Sequence, residues 1–227
     1  MPRKDKLQWP AAETTIRNIR RALLVWGRRN YRDFPWRHET SEFHALVAEV
    51  FLQRTRAEQV IPVYREFRKR FKSAKSLAKS HRSTLSRLTR SLGLNWRTPV
   101  LLRLARVIST KHRNKIPVDH QLLRELPGIG SYASAAFSSL HRGERAVIVD
   151  SNVVRLYGRL FGIRTHSESR RSKLLQEIGE ALTPRKSADK FNYALLDFTR
   201  EICRPIPKCL QCPILEHCNF GNKLNSQ

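Results

Sequence analysis

The chain has 227 residues and carries 44 Lys and Arg against 19 Asp and Glu, so its formal net charge is +25. Such an excess favours a polyanionic partner, with nucleic acid preferred over an anionic membrane surface. Its apolar runs are too short to cross a bilayer, and its first residues lack the apolar stretch of a secretory signal, which predicts an intracellular protein.

Helical periodicity dominates the chain and predicts an all-α fold. Hydrophobic residues make up 40% of the sequence, which is enough for the core of one large domain or two small ones. Pro62 is expected to interrupt the third helix, Asp119 to cap the seventh, and the short run 146–149 is the only strand-like stretch. The predicted helices span residues 14–28, 43–51, 57–71, 76–80, 83–91, 99–110, 120–126, 132–140, 152–161, 169–182 and 190–202.

The second predicted helix, FHALVAEVF, is almost entirely apolar and contains one carboxylate, Glu49. A carboxylate among apolar side chains is costly unless it is paired or does chemistry. An ion pair with one of the many arginines and a functional role remain equally open at this point. Residues 53–55, Gln-Arg-Thr, follow directly and on their own indicate only a polar helix end.

Pro-Gly-Ile-Gly at residues 127–130 separates two predicted helices. Proline and two glycines at this spacing favour a tight turn with exposed backbone N–H groups, and the next helix adds its own N-terminal N–H groups. An ordinary helix–turn–helix corner is the alternative. Given the net charge and a helix on each side, we predict a grip on nucleic-acid phosphates by Gly128, Ile129, Gly130 and Ser131.

Asp150 follows the apolar run 146–149 and precedes a predicted helix. An aspartate at a helix start is usually only an N-cap, and that interpretation suffices for Asp150 in isolation. The carboxylate becomes of interest because the glycine turn would hold DNA beside it.

All four cysteines, Cys203, Cys209, Cys212 and Cys218, lie in residues 203–218, which we call the Cys loop. A secreted disulfide protein would spread its cysteines through the fold, whereas four thiols this close together are typical of one metal centre. Zinc usually takes two C-x2-C pairs, and this chain has one such pair flanked by single cysteines. The pattern therefore favours a [4Fe–4S] cluster, with zinc as the minor alternative and two disulfides as a further one.

In their order and spacing, the glycine turn, Asp150 and the Cys loop resemble the helix-hairpin-helix DNA glycosylases of the endonuclease III/MutY superfamily. The resemblance covers nearly the whole chain, from DFPWR at 33–37 to Cys218, and includes FNYALLDFTREIC and KCLQCPILEHC near the C-terminus. One departure is a first cysteine gap of five residues, where six is usual in the family. The resemblance implies a [4Fe–4S] cofactor, a monomer that binds duplex DNA with a mismatched or damaged base, and the cytoplasm or nucleoid of a prokaryote.

The resemblance also implies chemical roles for individual residues. Asp150 matches the catalytic aspartate, which stabilises the oxocarbenium-like sugar and helps to position the attacking water, and Asn152 matches the residue that supports it. Tyr132 stands where bifunctional members have a Schiff-base lysine, so no imine can form there and strand cleavage should be weak or absent. Glu49 matches the glutamate that hydrogen-bonds or protonates the departing base in the MutY and Mig branches.

The base removed depends on which of these two branches the chain is more similar to. Gln53 and Arg54 match the residues that fill the space left by the flipped base and touch its partner. Three features favour the Mig type, which removes thymine or uracil opposite guanine. They are Tyr132, an apolar Leu94 where MutY has an intercalating tyrosine, and an end at Gln227 without MutY's additional domain. Gln53 and the Cys loop are more similar to MutY, so adenine removal from A:G or A:8-oxoG is the alternative.

Two domains with a cleft between them are implied by the same resemblance. Residues 35–144 are expected to form a six-helix barrel with the helix-hairpin-helix, and residues 1–34 with 145–227 a cluster domain. Two interpretations from other classes remain open here: a non-catalytic DNA-binding protein, and an RNA-binding protein of ribosomal type.

Overall fold

The structure, a computed structural model, describes residues 9–93, 95–166 and 168–224. These residues form α-helices and short 3-10 turns, and no strand occurs among them, so the all-α prediction is confirmed. None of the described helices is both long and apolar enough to span a membrane. The α-helices are α1 Glu13–Arg29, α2 Glu42–Leu52, α3 Ala57–Arg70, α4 Ala74–Ala78, α5 Arg82–Thr89, α6 Arg97–Lys111, α7 His120–Glu125, α8 Ser131–Arg142, α9 Ser151–Phe161, α10 Lys173–Leu182, α11 Ala188–Glu201 and α12 Asn219–Leu224.

Two local predictions are wrong and one is confirmed. Pro62 lies inside α3 without interrupting it, because the helix can continue after losing one backbone hydrogen bond when its apolar side is buried. The run 146–149 forms no strand in the part of the chain that the structure describes, and its Ile148 and Val149 are buried. Asp119 caps α7 as expected, since its Oδ1 accepts hydrogen bonds from the backbone N–H groups of Gln121 and Leu122.

The chain divides into two compact units, residues 33–137 and residues 1–32 with 138–227. In the unit 33–137, α2 begins at the N-cap Ser41, whose hydroxyl accepts a hydrogen bond from the N–H of His44. Every residue from Phe43 to Phe51 is buried, so α2 is surrounded by neighbours and packs against α3 and α6. The predicted Glu49 site therefore lies in the core of this unit.

In the other unit, α1 and α11 lie side by side at very short range. A Cβ atom at Gly27 would be 2.3 Å from the Cβ of Ala194, so only glycine allows this approach. The ring of Trp26 packs edge-on against Phe198, and α9 packs against α10, α11 and α12. This packing fixes α9, whose first residues follow Asp150.

Candidate active site and nucleic-acid interface

Asp150 is the N-cap of α9, and both of its carboxylate oxygens are engaged. Oδ1 accepts hydrogen bonds from the backbone N–H groups of Asn152 at 2.9 Å and Val153 at 2.8 Å. Oδ2 accepts a third from Nδ2 of Asn152 at 3.0 Å. These three hydrogen bonds hold the half-buried carboxylate in one orientation at the N-terminus of α9.

A chain of hydrogen bonds connects this carboxylate to the Cys loop. Oδ1 of Asn152 accepts from Nη1 of Arg155 at 3.0 Å. The same guanidinium donates from Nε to the carbonyl of Cys203 and from Nη2 to the carbonyl of Thr199, each at 2.9 Å. Burial lowers the pKa of Arg155, while the nearby Cys203 and Asp150 oppose the shift. Arg155 thus fixes the Asn152 amide that contacts Asp150.

A second arginine of α9, Arg159, holds the first part of the Cys loop. Its guanidinium donates to the carbonyl of Arg204 at 2.7 Å, to that of Pro205 at 2.8 Å, and to Sγ of Cys203 at 3.6 Å. The thiol of Cys218 donates back to the Arg159 carbonyl at 3.6 Å. Both ends of the loop are therefore attached to α9.

The four cysteines of the Cys loop are free thiols, so the disulfide alternative does not hold in this structure. Burial, and in addition the charges of the other three cysteines, raise the pKa of Cys212 to about 12. Burial and neighbouring cysteines also raise the pKa of Cys218 and of Cys209. As placed, no three His, Cys, Asp or Glu side chains among the described residues meet the spacing of a metal site. Four thiols in one short loop nevertheless supply sulfur donors that a metal centre would bind after deprotonation.

The glycine turn joins α7 to α8 as the sequence predicts. Gly128 has a positive φ of 82°, and the N–H of Ile129 donates to the carbonyl of Leu126 at 3.0 Å. The Ile129 side chain is buried, and its N–H is engaged within the turn. Gly130 and Ser131 are exposed at the start of α8 and are the better placed of the four predicted contacts.

Replacing Gly128 with alanine is expected to destabilise the protein by about 2–4 kcal/mol, because L residues disfavour this φ and the new Cβ would meet a stiff side chain. That Cβ would lie 2.4 Å from Cγ1 of Val100 on α6. Gly130→Ala is the matched control, since a Cβ at that position would have no other atom within 4 Å and the φ of Gly130 is ordinary. Urea unfolding measures the free energy of unfolding of both variants, and equal values would contradict the prediction.

The polar residues 53–55 lie next to the glycine turn. The contact joins Gln53 and Gly128, which are 75 positions apart in the sequence. Nε2 of Gln53 donates to the carbonyl of Gly128 at 3.0 Å. Arg54 is exposed and has a φ of 55°, in the left-handed region that residues with a side chain rarely adopt. The structure thus brings two of the predicted DNA-contacting segments together in the unit 33–137.

The other predicted site residues belong to different helices of the chain. Glu49 is buried on α2, one turn before the helix ends, and Tyr132 is half-buried in the first turn of α8. Leu94 lies outside the described residues. Asp150 contacts Asn152 directly and reaches Cys203 through Arg155.

Two residues that sequence reasoning missed are arginines, Arg155 and Arg97. Arg155 bridges Asn152 and the Cys loop, and Arg97 is fully buried at the start of α6. Only their position within helices that bury apolar side chains could have distinguished them from the other basic residues.

A helical chain with a glycine turn between two helices, and a carboxylate held at a helix N-terminus, has the features of a helix-hairpin-helix protein that handles nucleic acid. Comparison with known proteins extends this: a family model described as HhH-GPD superfamily base excision DNA repair protein matches residues 47–181. The chain belongs to this family. The predicted resemblance to its DNA glycosylases is confirmed, and the chain is a DNA glycosylase.

Individual relatives are similar over most of the chain. The thymine/uracil-DNA glycosylase of Methanothermobacter thermautotrophicus is 33% identical over 90% of this chain and 93% of its own length. A solved structure of a thermostable thymine-DNA glycosylase matches with a TM-score of 0.85 and 32% identity, covering 92% of this chain and 98% of the other. An adenine DNA glycosylase of Buchnera aphidicola is 31% identical over 86% of this chain and 57% of its own length.

Proposed function

We propose that this protein is a monofunctional glycosylase that releases thymine or uracil from opposite guanine in duplex DNA. The proposal depends above all on Asp150, a half-buried carboxylate that three hydrogen bonds hold at the start of α9. Support for the base comes from the relatives named for thymine and uracil, which the chain matches over nearly their whole length.

In the proposed reaction, the bond between the sugar C1′ and the base nitrogen breaks, and positive charge develops on the sugar. The Asp150 carboxylate stabilises that charge and orients the water that adds to C1′. Its three donors keep it in one orientation, so little reorganisation is needed as the charge develops. Glu49 protonates or hydrogen-bonds the departing base, which is a poor leaving group as an anion.

Tyr132 determines the product under this proposal. A bifunctional enzyme uses a lysine amine to attack C1′ and to form an imine that leads to strand cleavage. A phenol cannot form an imine, so we expect an abasic site in an intact strand. Gln53 and Arg54, with Leu94, would fill the space of the flipped base.

The experiment is a single-turnover assay on duplexes containing T:G, U:G, A:G and A:8-oxoG, each analysed with and without alkali. Release from T:G and U:G that appears as cleavage only after alkali is the expected result. Release of adenine alone would support the alternative, which Gln53 and the relatives named as adenine glycosylases favour. Cleavage without alkali would contradict the role given to Tyr132.

We further propose that Cys203, Cys209, Cys212 and Cys218 bind a [4Fe–4S] cluster. The four free thiols in one short loop and the attachment of that loop to α9 support this proposal. Such a cluster would replace four thiol protons and order the loop, and it need not take part in hydrolysis.

The cluster proposal predicts a brown protein that contains iron and acid-labile sulfide in equal amounts after anaerobic purification. Cys212→Ser should abolish the visible absorbance and lower the iron content because it removes a thiolate ligand. Colourless wild-type protein with one equivalent of zinc would contradict the cluster and support zinc.

The proposed domains are 35–144, carrying the glycine turn and Glu49, and 1–34 with 145–227, carrying Asp150 and the Cys loop. The proposed partner is duplex DNA, bound by a monomer inside the cell. The net charge of +25 supports this partner, because each phosphate contact by Lys or Arg releases counterions.

A further inference from the structure

Arg97 is the first residue of α6 and is completely buried, which is unusual for a cationic side chain. Burial lowers the pKa of its guanidinium. Among the hydrogen bonds that Arg97 makes to the described residues, none has a carboxylate as its acceptor. The acceptors of these bonds are neutral oxygens. A hydrophobic side chain of similar size would fill the space at lower cost, so the guanidinium needs a reason other than packing.

The acceptors of Arg97 belong to two turns that are far apart in the sequence. Nη1 donates to the carbonyl of Leu92 at 3.1 Å, in the 3-10 turn Arg90–Leu92 that precedes α6. Nη2 donates to the carbonyl of Gln53 and, at 2.6 Å, to Oγ1 of Thr55, in the turn that follows α2. The planar guanidinium therefore sets the distance and angle between these two turns.

The Gln53–Thr55 turn is held from a second direction as well. The side chain of Gln53 donates to the carbonyl of Gly128 in the glycine turn, while its carbonyl accepts from Arg97. Arg54, between the two residues that Arg97 contacts, has an exposed side chain and a left-handed backbone. A non-glycine residue persists in this conformation only where its surroundings hold it, and such residues concentrate at functional sites.

We propose that Arg97 is a positioning residue that fixes the orientation of Gln53 and Arg54, and thereby discrimination of the base opposite the one removed. The inference rests on the proposed function, because only there do Gln53 and Arg54 enter the duplex. Arg97 itself touches no DNA. It acts through the turn whose carbonyl and hydroxyl it binds.

The test is Arg97→Lys, which keeps the positive charge but loses the fork that reaches both turns. Arg103→Lys, on the exposed side of the same helix, is the matched control. Single-turnover rates on U:G and U:A duplexes give the discrimination between opposite bases. We expect Arg97→Lys to reduce the U:G to U:A ratio by roughly tenfold or more, and Arg103→Lys to leave the ratio unchanged.

A fluorescence measurement separates this inference from the proposed function. In a duplex with 2-aminopurine opposite a tetrahydrofuran abasic analogue, insertion of Gln53 and Arg54 should unstack the probe and raise its fluorescence. Arg97→Lys should reduce that increase at saturating protein. If the wild-type protein releases no pyrimidine, the proposed function fails, but the fluorescence comparison still tests Arg97.

Unchanged discrimination and fluorescence in a folded Arg97→Lys protein would overturn the inference. So would a lower unfolding temperature with both readouts intact, since that is the behaviour of a purely structural residue. If Arg97→Lys does not fold, Thr55→Val removes one acceptor at a half-exposed position and takes its place. A smaller change in the same direction supports the inference, and no change overturns it.

Discussion

Asp150→Asn is expected to lower the rate of base release by about 10³-fold while leaving affinity for duplex DNA nearly unchanged. The substitution removes the negative charge that would face the developing positive charge on the sugar. Asparagine is as good an N-cap as aspartate, so α9 should remain intact. Single-turnover kinetics on U:G duplexes and a binding titration measure the two quantities separately.

Asp119→Asn is the matched control for this variant. Oδ1 of Asp119 accepts two backbone N–H bonds at 2.9 Å at the start of α7, much as Asp150 does at the start of α9. The two substitutions are therefore alike in their effect on a helix start, and only Asp150→Asn should lose activity. Full activity of Asp150→Asn would show that this residue is a cap and nothing more.

Arg155→Met is expected to destabilise the unit that contains α9 by about 2–4 kcal/mol and to reduce base release about 10- to 100-fold in the protein that remains folded. The substitution leaves the carbonyls of Thr199 and Cys203 and the Oδ1 atom of Asn152 without their charged donor. A freed Asn152 amide would no longer hold Oδ2 of Asp150 in one orientation.

Arg164→Met provides the comparison, because Arg164 is exposed and the substitution removes the same charge. Urea unfolding and single-turnover rates at saturating protein distinguish the two predicted effects. Loss of stability with an unchanged rate would mean that Arg155 serves only the Cys loop and that Asp150 does not depend on it.

Local sequence patterns are sufficient to predict most helices and the caps at Asp119 and Asp150. Asp119 and Asp150 precede helices and accept the N–H groups that such positions leave unpaired, which is a property of adjacent residues. The prediction for Pro62 is wrong because burial of one side of α3 outweighs a single lost hydrogen bond. The prediction for the run 146–149 is wrong because a strand needs a partner, which no local pattern can supply.

The arginines that organise the site cannot be found in this way. Arg97 and Arg155 are two among 44 basic residues, and their importance comes from oxygen acceptors 42 to 48 positions away. The contact between Gln53 and Gly128 spans 75 positions and depends on how α2 and the glycine turn pack. The sequence therefore predicts which side chains can do chemistry, but it does not predict the long-range hydrogen bonds that connect them.

The pairing of α1 with α11 has a consequence for synthesis on the ribosome. Residues 33–137 form a contiguous unit and can fold as they emerge, whereas α1 emerges before them and cannot meet α11 until far more of the chain has been made. During that interval Ile16, Ile19 and Leu23 lack the helix that covers them in the finished fold. We expect the nascent chain to be most prone to chaperone capture and aggregation at this stage, and slowing translation between α8 and α11 should prolong it.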